Sequence, residues 1–245
     1  MNFANLGDMA YVIRRNLHRL PEAARIVGVP ASGMLPATLL ASLRGVPVCS
    51  LALLCSGVNG EQYTTRKKPH NQQQPIIVID DSIASGRTMK KVMEDCKRLP
   101  YTVVFVAVYG EKPQYEGVTV LEHIPMPRCF EWNVLHHPQH TQATCFDMDG
   151  VLTLFKPTTP VGWVVTGREE SGREITERQL RLRGVQYKEL FMKPGPQIMC
   201  ADWKAECYKR LPARLFVESD YGQAQVIARK SGKPVLHFEK MEVIR

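Results

Sequence analysis

The chain of 245 residues predicts an α/β protein built from two parallel-sheet domains. Two observations carry this. Apolar runs of strand length end in small, hydroxyl or acidic residues and then open helical patterns, at 26–33, 76–88, 142–150 and 161–168, which is the alternation of βαβ units. Two chemically different acid clusters, Asp80-Asp81 and Asp147-Met148-Asp149, lie in separate halves of a chain with room for two compact domains.

The elements follow in order. Met9, Val12, Ile13, Leu17 and Leu20 share one face of an amphipathic helix predicted from about Asp8 to Leu20. An apolar strand (Ile26, Val27, Val29) ends in Pro30-Ala31-Ser32-Gly33, and a helix carrying Leu39, Leu40 and Leu43 follows. After an apolar run at 46–54, the stretch CSGVNGEQYTTRKKPHNQQQ has no hydrophobic period and reads as a mobile loop bearing Arg66, Lys67 and Lys68. Ile76, Ile77, Val78 and Ile79 then form a strand that runs into Asp80 and Asp81. A turn of small and hydroxyl residues comes next (Ser82, Ala84, Ser85, Gly86, Arg87, Thr88). The following helix has Met89, Val92, Met93 and Cys96 on one face.

A strand that ends in a hydroxyl-rich glycine turn and opens a helix makes a cup for a phosphate monoester, because free N–H groups and the helix's positive end face the anion. Carboxylates just before the cup can accept hydrogen bonds from a sugar diol. Together these suit a ribose 5-phosphate.

This segment resembles the signature of the type I phosphoribosyltransferases, through Asp80, Asp81, Ala84, Ser85, Gly86 and Thr88. The resemblance implies phosphoribosyl pyrophosphate as sugar donor. Gly28 to Gly33 then matches the family's pyrophosphate loop, where Gly33 lets the backbone approach closely. Ala31 stands where relatives often have a basic residue. Arg66, Lys67 and Lys68 would tip a lid that closes over the leaving pyrophosphate; a solvated loop is the plainer alternative.

The chain continues with a strand at 101–109 and the pieces GVTVLEHI and PMPRCFEWNVLHH. The family covers its acceptor base with a hood. Phe130, Glu131, Trp132 and Asn133, with Arg128, could stack on a base and read its edges, or Phe130 and Trp132 could simply pack between domains. His136, His137 and His140 follow, and a polar linker explains them better than a metal site.

Residues 142–150, QATCFDMDG, put two carboxylates at i and i+2 after a short strand, facing the same side. A hydroxyl, Thr166, ends the next strand, before a helix with charged residues over Ile175, Leu180 and Leu182. Lys204 stands at the start of another helical stretch. LFVESD then ends a strand with Glu218 and Asp220, and QAQVIARKSGKPVL closes with a helix, a turn and a strand. This order of acid, hydroxyl, lysine and acid is similar to that of the haloacid dehalogenase-like phosphohydrolases. The resemblance implies Asp147 as nucleophile, Asp149 as general acid and base, Thr166 and Lys204 on the phosphoryl group, and Asp147, Asp149, Glu218 and Asp220 around Mg2+. The ten residues between Gly150 and Val161 are too few for an ordinary crossover helix or cap.

The expectation is therefore two Rossmann-like domains: a phosphoribosyltransferase domain with hood at 1–140 and a minimal, capless phosphohydrolase domain at 141–245. The protein would use phosphoribosyl pyrophosphate and a nucleobase or nucleotide. Two rival readings are a regulator that senses the sugar donor and a phosphatase with an inactive transferase domain. The resemblance also implies a homodimer. No apolar run approaches a membrane span, and the N-terminus lacks a signal-peptide core. None of the seven cysteines has Cys-x-x-Cys spacing, and the several in strands or helices suggest core thiols in a reducing cytoplasm. The net charge of +8 would attract phosphorylated substrates. The basic residues are dispersed and no reader motif is present, so nucleic acid is not an expected partner.

Overall fold

The computed structural model describes residues 1–56 and 74–245. The chain falls into two compact units, Asn2 with Ala4–Arg128 and Met1 and Phe3 with Cys129–Arg245. The division thus follows Arg128 instead of residue 140. The reason lies in the segment between: Cys129, Val134 and Leu135 are buried in a core with Phe146, Val161 and Val164.

In the first unit, β1 (Asn2–Ala4) leads into α1 (Leu6–Arg15). A reciprocal cap starts the helix: Asn5 Oδ1 accepts from the Asp8 amide at 2.8 Å, and Asp8 accepts from the Asn5 amide at 2.9 Å. Met9, Val12 and Ile13 are buried as the periodicity predicts. The helix stops at Asn16, earlier than expected, and a 3-10 turn carries the chain through Leu17–Arg19 to buried Leu20.

There follow β2 (Arg25–Gly28), α2 (Met34–Arg44), β3 (Val48–Ser50), α3 (Leu51–Cys55), β4 (Ile76–Ile83), α4 (Arg87–Cys96), β5 (Val103–Gly110) and β6 (Val118–His123). The described strands form a parallel sheet in the order β3-β2-β4-β5-β6. On one side Met89, Val92 and Cys96 of α4 and Leu51 and Leu54 of α3 pack on Val27, Val78 and Ala107. Strand β4 runs farther than predicted: Asp80 and Asp81 lie inside it, and the turn begins only after Ile83.

Strand β7 (Arg128–Phe130) begins at the division, and the short helices α5 (Glu131–Val134) and α6 (Pro138–Thr141) precede the sheet of the second unit. Its strands are β8 (Thr144–Phe146), β9 (Val161–Glu169), β10 (Tyr187–Lys193), β11 (Leu215–Glu218), β12 (Val235–His237) and β13 (Glu242–Ile244). The helices α7 (Arg173–Leu182), α8 (Cys200–Arg210) and α9 (Tyr221–Ser231) connect them. The order is β10-β9-β8-β11-β12-β13, parallel but for β13. The crossover from β8 to β9 contains only the irregular helical turn Met148–Leu152, as its length requires.

Helix α7 departs from the predicted facing. Thr176 and Leu180, one turn apart, form its buried stripe, while Ile175 and Leu182 are 65% and 78% exposed. At the helix's start Arg173 pairs with Glu170 and Glu177 at the surface. All seven cysteines are free thiols. Among the described residues, no helix is long and apolar enough to cross a membrane.

Candidate functional sites

In each unit the strand order reverses direction at one point. It lies between β2 and β4 in the first unit and between β8 and β11 in the second. In open parallel sheets ligands bind beyond the carboxyl ends of the strands at this switch, where the flanking loops diverge. The acid clusters stand at these two places.

In the first unit the loop after β2 presses on the acids of β4. A Cβ on Gly33 would lie 2.4 Å from Val29 O and 2.8 Å from Asp80 Oδ1. One on Gly28 would meet Met34 Sδ at 2.5 Å and Gly33 O at 2.9 Å. Both positions therefore need glycine for closeness. The Pro30–Ala31 peptide is cis. Ser32 Oγ donates to Asp81 Oδ1 at 2.8 Å, which joins the 30–33 loop to the acid pair. Both carboxylates are buried, and Asp80 Oδ1 accepts from the Asp81 amide at 2.9 Å. Burial, reinforced by the neighbouring Asp81 charge, pushes the Asp80 carboxyl up to about 8.

The turn Ala84-Ser85-Gly86 ends at Gly86 with φ +79°, a left-handed conformation that suits glycine and starts α4. Two side chains hold this turn from outside the signature. Tyr115 Oη donates toward Ala84 O at 2.7 Å and Ile83 O at 3.2 Å. Arg128 Nη2 donates to Ile83 O at 2.9 Å and Nη1 to Ile124 O at 3.3 Å. Burial lowers the Arg128 guanidinium from its usual value, against the charges of Glu111 and Asp81. Arg66, Lys67 and Lys68 lie outside the described residues.

The proposed hood does not sit in this unit. Phe130 is buried, and its ring stacks on Trp132 at 4.9 Å with the planes 3° apart. Asn133 Oδ1 accepts from the Phe130 amide at 3.2 Å, so Asn133 serves the start of α5, the helix that also carries Glu131. Phe130, Glu131, Trp132 and Asn133 belong to the second unit and build its entry. His137 Nδ1 accepts from the Gln139 amide at the start of α6.

In the second unit Asp147, Thr166, Lys204 and Glu218 are all buried, each carried by or just beyond β8, β9, α8 and β11 respectively. Lys204 Nζ lies 2.7 Å from Glu218 Oε2 and 3.0 Å from Asp147 Oδ1, the latter paired by charge without hydrogen-bond alignment. Burial and the Glu218 charge push the Asp147 carboxyl up to about 7, with Lys204 acting against them. Burial would lower the Lys204 ammonium, but the two carboxylates outweigh it and hold it above its usual value. Asp149 is gripped by Arg168 in a two-pronged pair, Nε to Oδ2 at 2.8 Å and Nη2 to Oδ1 at 2.6 Å. The Arg168 amide also donates to Thr166 Oγ1 at 3.2 Å. Gly150 has φ +76°, and a Cβ there would lie 2.3 Å from Ser219 Oγ.

The four carboxylates expected around Mg2+ are not gathered for it. The Lys204 ammonium lies against both Asp147 and Glu218, Arg168 occupies Asp149, and Asp220 caps α9 by accepting from the Gln223 amide at 2.7 Å. Among the described residues no group of three or more His, Cys, Asp or Glu side chains is placed to hold a metal ion. In this arrangement the donors do not fit a divalent cation.

The chain is 26% identical over 132 residues to a hypoxanthine/guanine phosphoribosyltransferase of Methanobrevibacter ruminantium, covering 50% of this chain and 69% of the relative. Looser likenesses among solved structures include a purine phosphoribosyltransferase from Pyrococcus horikoshii Ot3, 18% identical with a TM-score of 0.37 over 54% of this chain and 95% of that one. Another is the Helicobacter pylori xanthine-guanine-hypoxanthine phosphoribosyltransferase, 15% identical with a TM-score of 0.39 over 54% and 92%. No protein-family model matches the chain.

Proposed function

We propose that the first unit transfers a 5-phosphoribosyl group from phosphoribosyl pyrophosphate to a purine base. One observation carries the reading: Ser32 Oγ meets Asp81 Oδ1 at 2.8 Å. That contact joins the pyrophosphate-type loop and the acid pair in a single site at the sheet's switch point. Asp80 and Asp81 take the ribose hydroxyls, the 84–88 turn takes the 5-phosphate, and the 30–33 loop takes the pyrophosphate. The base nitrogen attacks the anomeric carbon as the bond to pyrophosphate breaks. Positioning and charge stabilisation do the work, and no protein nucleophile is required. The name of the Methanobrevibacter ruminantium relative points to hypoxanthine or guanine as acceptor.

The test is pyrophosphate release on adding hypoxanthine, guanine, xanthine or adenine to protein with magnesium phosphoribosyl pyrophosphate. Release with a purine is the expected result. Calorimetry that finds no uptake of the donor would overturn the reading.

A second reading has an observation in its favour. The acceptor-binding candidates at 130–133 belong to the second unit, which suits a module that binds the sugar donor without turning it over. Donor uptake without pyrophosphate release for any base would select it.

For the second unit the best-supported reading is a haloacid dehalogenase-like phosphohydrolase without a cap. Asp147 is the nucleophile: its oxygen bonds to phosphorus as the ester oxygen leaves, and water then cleaves the aspartyl-phosphate. Thr166 and Lys204 hold the phosphoryl oxygens, and Asp149 handles the proton once Arg168 lets it go. The assay is phosphate release from purine nucleotides, with Asp147→Asn as the variant that abolishes it.

A further inference from the structure

We propose that Tyr115 is a positioning residue for the 5-phosphate cup of the first unit, acting through the carbonyls of Ile83 and Ala84. The proposal rests on the reading of the 84–88 turn as a phosphate site.

The argument starts from the peptide plane. In a trans peptide the C=O and the N–H point to opposite sides. Fixing the Ile83 carbonyl therefore fixes the Ala84 amide, and fixing the Ala84 carbonyl fixes the Ser85 amide. Tyr115 Oη engages both carbonyls, at 3.2 and 2.7 Å. The same oxygen accepts from the Lys112 amide at 3.2 Å, so the hydroxyl is itself anchored to the loop after β5. The Glu111 amide and Arg128 Nη2 also donate to Ile83 O, each at 2.9 Å. Every acceptor of the turn's first two peptides is thus drawn to one side. The amides of Ala84 and Ser85 point to the other side and take no acceptor among the described residues. That is the donor geometry an anion needs.

The ring contributes too. It packs on the core of the first unit and lies 3.7 Å from where a Cβ of Gly86 would stand. Phenylalanine keeps the ring and loses only the clamp, so Tyr115→Phe separates packing from positioning.

The experiment is calorimetry of the intact protein and Tyr115→Phe, titrated separately with ribose 5-phosphate and with magnesium pyrophosphate. Loss of one hydrogen-bonding hydroxyl on two carbonyls is expected to weaken ribose 5-phosphate about tenfold. Pyrophosphate, bound at the 30–33 loop, should keep its affinity, and the melting temperature should stay near that of the parent. Equal ribose 5-phosphate affinity in both proteins would overturn the role of Tyr115. An equal loss for both ligands would also overturn it, since general loosening would then be the cause. If the parent protein itself takes up no ribose 5-phosphate, the reading of the turn fails, and the proposal with it.

Discussion

Removal of the Lys204 ammonium should destabilise the second unit by an amount that depends on pH in a set direction. Lys204 Nζ stands 2.7 Å from Glu218 and 3.0 Å from Asp147, and all three side chains are at least 95% buried. In Lys204→Met the chain length and apolar stem are kept, and two buried carboxylates lose their shared cation. Breaking a buried pair by deleting one partner costs roughly 3–5 kcal/mol, because the remaining charge stays desolvated. Asp147 supplies the pH term. Its folded carboxyl is raised from 3.8 to about 7. A raised group binds its proton more tightly when folded, so its contribution is full below about 4 and is lost as pH rises through about 7. Without Lys204 the carboxyl is raised further, so the gap between variant and parent widens toward pH 8 and narrows toward pH 5. Urea unfolding is a selective assay, because Trp132, Trp163 and Trp203 all lie in the second unit and their fluorescence reports on it alone. At a slope of about 2 kcal/mol/M, the midpoint at pH 8 should fall by about 2 M. An unchanged midpoint at pH 8, or a loss that grows on acidification, would refute the reasoning.

Further perturbations have equally defined outcomes. Gly33→Ala would drive a methyl into Val29 O and Asp80; it should destabilise by about 1–3 kcal/mol and abolish uptake of phosphoribosyl pyrophosphate by calorimetry. Asp80 is raised from 3.8 to about 8, so its contribution to stability declines as pH rises through that window. Asp80→Asn should flatten the pH profile of the melting temperature between about 4 and 8 while losing donor binding. Gly150→Ala meets both a left-handed φ and Ser219, and a loss of about 2 kcal/mol is expected in the tryptophan-monitored unfolding. Arg168→Gln frees Asp149, so phosphate release from purine nucleotides should rise; an unchanged rate would sink the acid–base role given to Asp149.

What could be read along the chain is what neighbours in sequence decide. The strand 76–79, the acids after it and the glycine turn into α4 are contiguous, and strand, turn and helix each follow from local residue chemistry. The same holds for Asp147 after β8 and for the short crossover behind it. Distant packing decides where local residues offer equal alternatives. The charge pattern of α7 leaves several candidate faces, and the sheet selected the Thr176–Leu180 stripe over Ile175 and Leu182. Phe130 and Trp132 look alike as base-stacking rings and as core rings, and contact with Phe146 and its neighbours assigned their segment to the second unit.

The sequence by itself determined the α/β class, the two acid clusters and the glycines at their turns, because backbone conformation and strand ends are local properties. Only the tertiary structure decided which side chains those clusters meet. Tyr115 reaches Ala84 from 31 positions away, Arg128 reaches Ile83 from 45, and Arg168 closes on Asp149 from 19. Partners so far apart along the chain are brought together by the order in which strands assemble. Hydrogen bonds and ion pairs act over a few ångströms, so no spacing in the sequence encodes them.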